Sequence, residues 1–271
     1  MERGLAATRP QAVARIEQGQ VLVSGSVADK ASRLVAPGEP IELLGPPPRF
    51  VSRGGEKLDA ALSRFAIDVT GRRALDAGAS TGGFTDCLLQ AGVDAVVAVD
   101  VGRGQLHPSI RQDPRVEVHE QLDIRDVTLD TVGGRPVDLV TADLSFISVT
   151  RAVPVMVGEV VAPGAALVIL VKPQFEAGRA EASRGRGIIR DPDIHRRTLL
   201  EVCRTLTSQR ADIMGVMPSP ITGSAGNIEF LVHARSPDPD PDGTPTTGLG
   251  TEVSELVDHA VDEAHAEKGT G

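Results

Sequence analysis

Four ionisable residues, Lys57, Asp143, Lys172 and Glu229, have the composition of a proton-transfer site. Asp143 follows an apolar run, Lys172 ends another in Leu170-Val171-Lys172-Pro173-Gln174-Phe175, and Glu229 lies in Gly226-Asn227-Ile228-Glu229-Phe230. Lys57 precedes the first such run, in Ser52-Arg53-Gly54-Gly55-Glu56-Lys57. A lysine that ends a buried strand has to be paired, because an unpaired ammonium in an apolar setting is very costly. Two lysines and two carboxylates around one small site suit deprotonation of a poorly acidic hydroxyl. The second cation eases proton loss from the first, and the carboxylates orient it. Taken singly, each reads as an ordinary ion-paired residue; their shared position at strand ends favours catalysis.

A second constellation is Leu75-Asp76-Ala77-Gly78-Ala79-Ser80-Thr81-Gly82-Gly83-Phe84. It reads as a strand, a glycine turn and a helix start, so backbone N–H groups and a helix N-terminus face a ligand. The pattern is not the G-x-G-x-x-G of dinucleotide sites, since Ser80 takes the middle position. Asp76 before the turn would repel a pyrophosphate but suits a ligand with a cationic end, such as S-adenosylmethionine with its sulfonium and amino group. Gly78, Ser80, Gly82, Gly83 and Phe84 are then cofactor-binding candidates. Asp100, ending the next strand, is placed for the ribose hydroxyls, and Asp123, after the third, for the adenine amino group.

The absences narrow the chemistry. Methylation of a pyrimidine carbon needs a thiolate nucleophile, and both cysteines, Cys87 and Cys203, fall inside expected helices, where they read as core thiols. Methylation of an exocyclic amine usually uses an Asp/Asn-Pro-Pro-aromatic loop, where this chain has Asp143-Leu144-Ser145-Phe146. Two cysteines make neither a disulfide framework nor a four-ligand zinc site, so no metal is expected.

The elements that must carry these residues alternate. Strands are expected at 74–77, 95–99, 115–118, 137–142, 165–171, 213–216 and 228–232, and helices at 83–90, 152–161 and 193–207. An earlier helix opens at Lys57, with Leu58, Ala61, Leu62, Phe65 and Ala66 on one face. Such alternation implies a doubly wound, mostly parallel α/β sheet. Residues 1–48 form a small α+β unit: a helix starting near Thr8-Arg9-Pro10, strands at 21–23 and 41–44, and a turn at 24–26. Residues 49–56 read as a linker after Gly45-Pro46-Pro47-Pro48, residues 57–235 as the main domain, and residues 236–271 as an acidic linker followed by an amphipathic helix.

The net charge of −9 looks wrong for a nucleic-acid binder until it is divided. Nine acids and one base lie beyond residue 235, leaving 27 bases against 28 acids in the body. Six phenylalanines and no Trp or Tyr argue against a broad base-stacking platform. No apolar run approaches the ~18 residues of a membrane span, and no apolar signal segment follows Met1, so a cytoplasmic protein is expected.

Beyond these readings the sequence resembles the TlyA family of haemolysin A-like rRNA methyltransferases and, more broadly, ribose 2′-O-methyltransferases of the FtsJ/RrmJ type. The likeness rests on Val51 to Leu58, Leu75 to Phe84, Ala142-Asp143-Leu144-Ser145-Phe146-Ile147-Ser148, Val171-Lys172-Pro173-Gln174-Phe175-Glu176 and Gly226-Asn227-Ile228-Glu229. The family's Lys-Asp-Lys-Glu tetrad falls on Lys57, Asp143, Lys172 and Glu229. The resemblance implies a Rossmann-like class I methyltransferase sheet, an S4-like RNA-binding module over residues 1–48 with a truncated first helix, and a functional linker at Arg49-Phe50-Val51, with Phe50 where some relatives have Trp. It implies 2′-O-methylation of cytidine in 16S and/or 23S ribosomal RNA, linked in relatives to capreomycin sensitivity. Ribosomal RNA or ribosomal subunits are the expected partners, with no membrane and no obligate protein partner. Phosphate contacts are expected from Arg9, Arg15, Arg49 and Arg53 and from the loop at 179–190. The alternatives are a membrane-active haemolysin, a non-catalytic RNA-binding protein and a dinucleotide enzyme, the last disfavoured by Ser80 and Asp76.

Overall fold

The computed structural model describes residues 3, 5–6, 12–13, 15–16, 19–45, 48–178, 181, 183, 185–223, 225–238 and 251–266. The chain forms two compact units, Met1–Ser52 and Arg53–Gly271.

In the smaller unit, β1 (Val21–Val23), β2 (Ser26–Val27) and β3 (Ile41–Leu43) form an antiparallel sheet of order β2-β1-β3. The expected turn is present, but it joins β1 to β2, a strand too short to show in the residue pattern. Val21, Val23 and Ala28 are buried and pack against Ile16, Val35, Ile41 and Leu43. The expected helix start at 8–10 lies outside the described residues.

The larger unit is built on seven strands: β4 (Arg73–Ala77), β5 (Ala95–Asp100), β6 (Val116–Glu120), β7 (Val137–Ala142), β8 (Val161–Val171), β9 (Asp212–Pro218) and β10 (Phe230–Arg235). Their order is β6-β5-β4-β7-β8-β10-β9. The first five run parallel, and β10 is antiparallel to both its neighbours. The centre of β4, β7 and β8 is buried on both faces, as the near-continuous apolar runs require. The flanking helices are α1 (Gly54–Arg64), α2 (Gly83–Gln90), the single turns α3 (Pro108–Arg111), α4 (Val153–Met156) and α5 (Pro173–Glu176), the long α6 (Pro192–Ser208) and the C-terminal α7 (Thr251–Ala266). Helix α7 is the amphipathic segment expected from the tail, and it buries Val253, Val257, Ala260, Val261 and Ala264 in the main core.

Three expectations need correction. Lys57 does not open its helix: α1 begins at Gly54, and Ala66 lies beyond its end with a φ of 52°. The helix expected over 152–161 is cut to the turns at Val149–Arg151 and Val153–Met156, because β8 begins at Val161. Pro163-Gly164 lies inside β8, where its register against β7 shifts between Val137 and Leu139. The last strand begins at Phe230 and not at residue 228, so Glu229 stands just before β10.

That last detail sets the geometry of the site. The parallel strands present their carboxyl ends at one edge of the sheet, and an antiparallel strand presents its amino end there. Phe230 pairs with Val171, which carries Glu229 and Lys172 to neighbouring positions. Strand order reverses at β4, which pairs with β5 on one side and β7 on the other. A crevice outside the carboxyl ends at such a switch point is where open α/β sheets bind ligands.

Candidate active site

On the β4–β6 side the polypeptide leaves β4 into the turn 78–82. Gly78 has a φ of 83°, and a Cβ there would lie 2.7 Å from the Asp143 backbone oxygen, so only glycine fits. Ser80 adopts a left-handed φ of 47°, and its N–H donates to Asp100 Oδ2 at 2.8 Å. Gly82, with a φ of 93°, precedes α2, whose first residue is Gly83. Asp100 Oδ1 also accepts from Gly102 N–H at 2.6 Å, so one carboxylate braces two turns. Ser80 Oγ meets Gln105 Oε1 at 3.3 Å, and a Cβ on Gly102 would strike Gln105 Nε2 and Asp100 Oδ1. The Gln105 amide therefore lies beside the Asp100 carboxylate, next to a cavity of only about 10 Å³ lined also by Ala79, Leu106 and His119.

Two residues expected to touch the cofactor, Asp76 and Phe84, are placed otherwise. Asp76 is fully buried beneath the turn, where it accepts from Thr85 Oγ1 of α2 at 2.6 Å and from Thr141 Oγ1 of β7 at 3.0 Å. Burial pushes its carboxyl up to about 6, against the opposing effect of the two hydroxyls. It ties three elements together and presents no surface to a ligand. Phe84 is 3% exposed, because an apolar residue in the first turn of α2 faces the sheet. Asp123 caps the short helix Ile124–Asp126 and grips Arg125, whose side-chain and backbone N–H groups hold its carboxyl down to about 2.

On the β7–β10 side the tetrad forms two ion pairs. Lys57, on the buried face of α1 with Leu58, Ala61 and Leu62, places Nζ 2.5 Å from Glu229 Oε2. Lys172 places Nζ 2.6 Å from Asp143 Oδ1, across the ends of β8 and β7. Lys57, Lys172 and Glu229 are buried, and Asp143 is partly so. Each buried lysine thus meets the demand read from its sequence position.

The sequence reading passed over several residues that organise this edge. Lys172 Nζ also donates to Ser145 Oγ at 2.9 Å. Glu176 accepts from Ser148 Oγ at 2.5 Å and from Val149 N–H at 2.9 Å, and burial raises its carboxyl. Asn227 Nδ2 donates to the Gly187 carbonyl at 2.8 Å, while its Oδ1 accepts from Ile189 N–H at 2.9 Å. All lie within the quoted motifs, but only their partners distinguish them from turn residues. Phe146 is 89% exposed in a left-handed conformation, with a φ of 69°, and its ring centroid is 5.5 Å from that of Phe175.

The expected phosphate contacts divide. Arg49 is exposed and stacks on Phe50 within the smaller unit, 4.7 Å from the ring centroid. Arg53, in the larger unit, is exposed and donates to the Thr222 carbonyl at 2.8 Å. Arg15 is a correction: it is 6% exposed and packs beside Ile16, Val21, Ile41 and Leu43 along a half-open cavity of the smaller unit, so little of its charge reaches the surface. Arg9 and part of the 179–190 loop lie outside the described residues.

Residues 50–236 match the FtsJ-like methyltransferase family, and residues 2–41 match the S4 domain. The chain is 45% identical over 237 residues to a 16S/23S rRNA (cytidine-2′-O)-methyltransferase, TlyA, of Mycobacterium tuberculosis, covering 87% of each protein. It is 41% identical to a putative rRNA methyltransferase, YqxC, of Bacillus subtilis, covering 98% of this chain and 92% of that protein. A solved structure described as a putative hemolysin from Streptococcus thermophilus superposes with a TM-score of 0.78 at 36% identity, covering 100% of this chain and 96% of that one. A glycine turn and two lysine–carboxylate pairs at one switch point, with these matches on either side of residue 50, place the chain in the FtsJ-like methyltransferase family, among the TlyA proteins.

Proposed function

We propose that this protein methylates the ribose 2′-oxygen of a cytidine in ribosomal RNA, with S-adenosylmethionine as donor. The observation that carries the reading is the Lys172–Asp143 pair at 2.6 Å, beside the Lys57–Glu229 pair and across the switch point from the glycine turn. The family and the relatives' names support the reaction and the RNA substrate.

The cofactor fits the donor side of the crevice. Asp100 supplies an acceptor for ribose hydroxyls, Gly78, Ser80, Gly82 and Gly83 leave the turn backbone bare, and a nucleoside settling on Asp100 displaces the Gln105 amide from beside it. Asp76 and Phe84 hold this cradle from behind, and Asp123 remains the acceptor proposed for the adenine amino group. When bound, S-adenosylmethionine supplies a methyl group on a positively charged sulfur, an electrophile that needs no Lewis acid.

The residues of this chain then prepare the nucleophile. Lys172 Nζ takes the proton of the 2′-hydroxyl as the oxygen gains its methyl group. Asp143 fixes the amine and stabilises the ammonium that results. Lys57, held by Glu229, places a second cation at the site and orients the ribose. Phe146, stacked on Phe175, offers an exposed ring to the target base. Arg49 and Arg53 contribute phosphate contacts, which set affinity and register and not sequence. An RNA-modifying enzyme of this kind works in the cytoplasm.

The test is to incubate the protein and S-adenosylmethionine with separated, unmodified ribosomal subunits and to map ribose methylation by mass spectrometry. A new 2′-O-methylcytidine is expected, and its absence with intact cofactor binding overturns the substrate assignment. Lys172→Ala is expected to abolish turnover while S-adenosylhomocysteine affinity stays within about twofold, since cofactor and base occupy different strand ends. No described helix is long and apolar enough to cross a membrane.

A further inference from the structure

We infer that Ser145 is a positioning residue for the proton-transfer step, its hydroxyl aiming the Lys172 amine by occupying one of its N–H groups. The inference rests on the proposed role of Lys172 as base. An ammonium on a tetrahedral nitrogen has three N–H bonds, and the neutral amine has two and a lone pair. Ser145 Oγ at 2.9 Å accepts one N–H, while Asp143 Oδ1, 2.6 Å from Nζ, forms an ion pair without hydrogen-bond geometry. Ser145 can be satisfied in either protonation state of the amine. One of the remaining directions carries the lone pair of the neutral amine, and that is the direction in which a proton arrives.

With the ion pair alone the charge would be held near Asp143 but no N–H direction would be fixed, and the lone pair would sweep. The Ser145 hydroxyl restricts that freedom. Orientation of this kind is a large share of what an active site contributes to rate.

The loop that carries Ser145 is held firmly enough to do this. Asp143 N–H donates to the Ala77 carbonyl at 2.9 Å, anchoring the loop to β4. At its far end Glu176 binds Ser148 Oγ and Val149 N–H, and between these anchors Leu144 is buried. Glu176 lies four residues beyond Lys172, so base and loop are fixed to each other from both sides. Ser145 itself is exposed, which separates its hydroxyl from any packing duty.

The experiment measures methyl transfer to ribosomal subunits across pH 6–9 for wild type, Ser145→Ala, Ser145→Thr and Lys172→Ala. Loss of a hydrogen bond to a charged group predicts a fall of about 10- to 100-fold in kcat for Ser145→Ala. KM for RNA and affinity for S-adenosylhomocysteine should stay within about twofold, and Ser145→Thr should recover most of the rate. The acceptor favours the ammonium, so its removal should also move the acid limb of kcat to lower pH. The charged groups around Lys172, namely Asp143 on the β7 loop, Glu229 before β10, Lys57 on α1, Glu176 on α5 and Asp76 under the turn, are unchanged in that variant. Wild-type kcat in Ser145→Ala, or a loss confined to KM, overturns the inference while an inactive Lys172→Ala leaves the base assignment standing. Turnover retained by Lys172→Ala overturns the base assignment itself, and with it this one.

Discussion

Asp76 shows how a residue can be decisive for a site without facing it. Its carboxylate receives Thr85 and Thr141 inside the core, and burial lifts it to about 6. Between pH 4 and 6 the folded protein holds a proton that the unfolded chain has released. Asp76 therefore adds stability at low pH that is lost as pH rises through about 6, a swing on the order of 3 kcal/mol. Asp76→Asn mimics the protonated acid and should flatten this part of the stability–pH curve in urea titrations; an unchanged slope would rule Asp76 out as its source. His233 acts oppositely. Burial lowers it to about 4, so its contribution is lost as pH falls from about 6.5 through 4, and His233→Gln should reduce acid sensitivity there. The acid at position 76 was legible as part of a ligand turn, but its inward direction was not. Residue spacing gives the strand face, whereas the two threonines come from 9 and 65 positions away.

At the scale of elements, α7 is attached by two kinds of contact of unequal weight. Its apolar face enters the core through Val257 and Val261, both fully buried. Its acidic face meets Arg196 of α6, which bonds Asp258 at 3.0 Å and Asp262 at 2.5 Å. Both aspartates are more than half exposed, so the pairing is screened by water. Val257→Ala should therefore cost about 2 kcal/mol of unfolding free energy, and Arg196→Ala less than about 1 kcal/mol. Denaturant titration of the two variants checks the order, and a larger effect of Arg196→Ala would mean that α7 is held by charge. This helix was legible because its period is long and regular. The short elements were not, since β2 has two residues and α4 and α5 four each, too few to establish a period. The strand-end positions of Asp143 and Lys172 were legible because long apolar runs end there. The antiparallel course of β10, which brings Glu229 to the same edge, depends on pairing with β8 that no local pattern records.

For the whole molecule, the matches on either side of residue 50 divide labour between an S4 domain and a methyltransferase sheet, and the near-neutral body makes charge placement matter more than net charge. If Arg49 and Arg53 each contact a phosphate, replacing both with Ala should reduce the slope of log affinity against log salt by about 2. Filter-binding over a salt series measures this, and an unchanged slope would exclude both from the interface. The close approach of Gly78 to the Asp143 carbonyl has a consequence for inheritance. The turn assigned to the donor and the loop assigned to the acceptor meet backbone to backbone at this point, so a side chain at position 78 would push on the strand end that carries Asp143. A lineage that lost this glycine would disturb its donor turn and its acid–base pair in the same step.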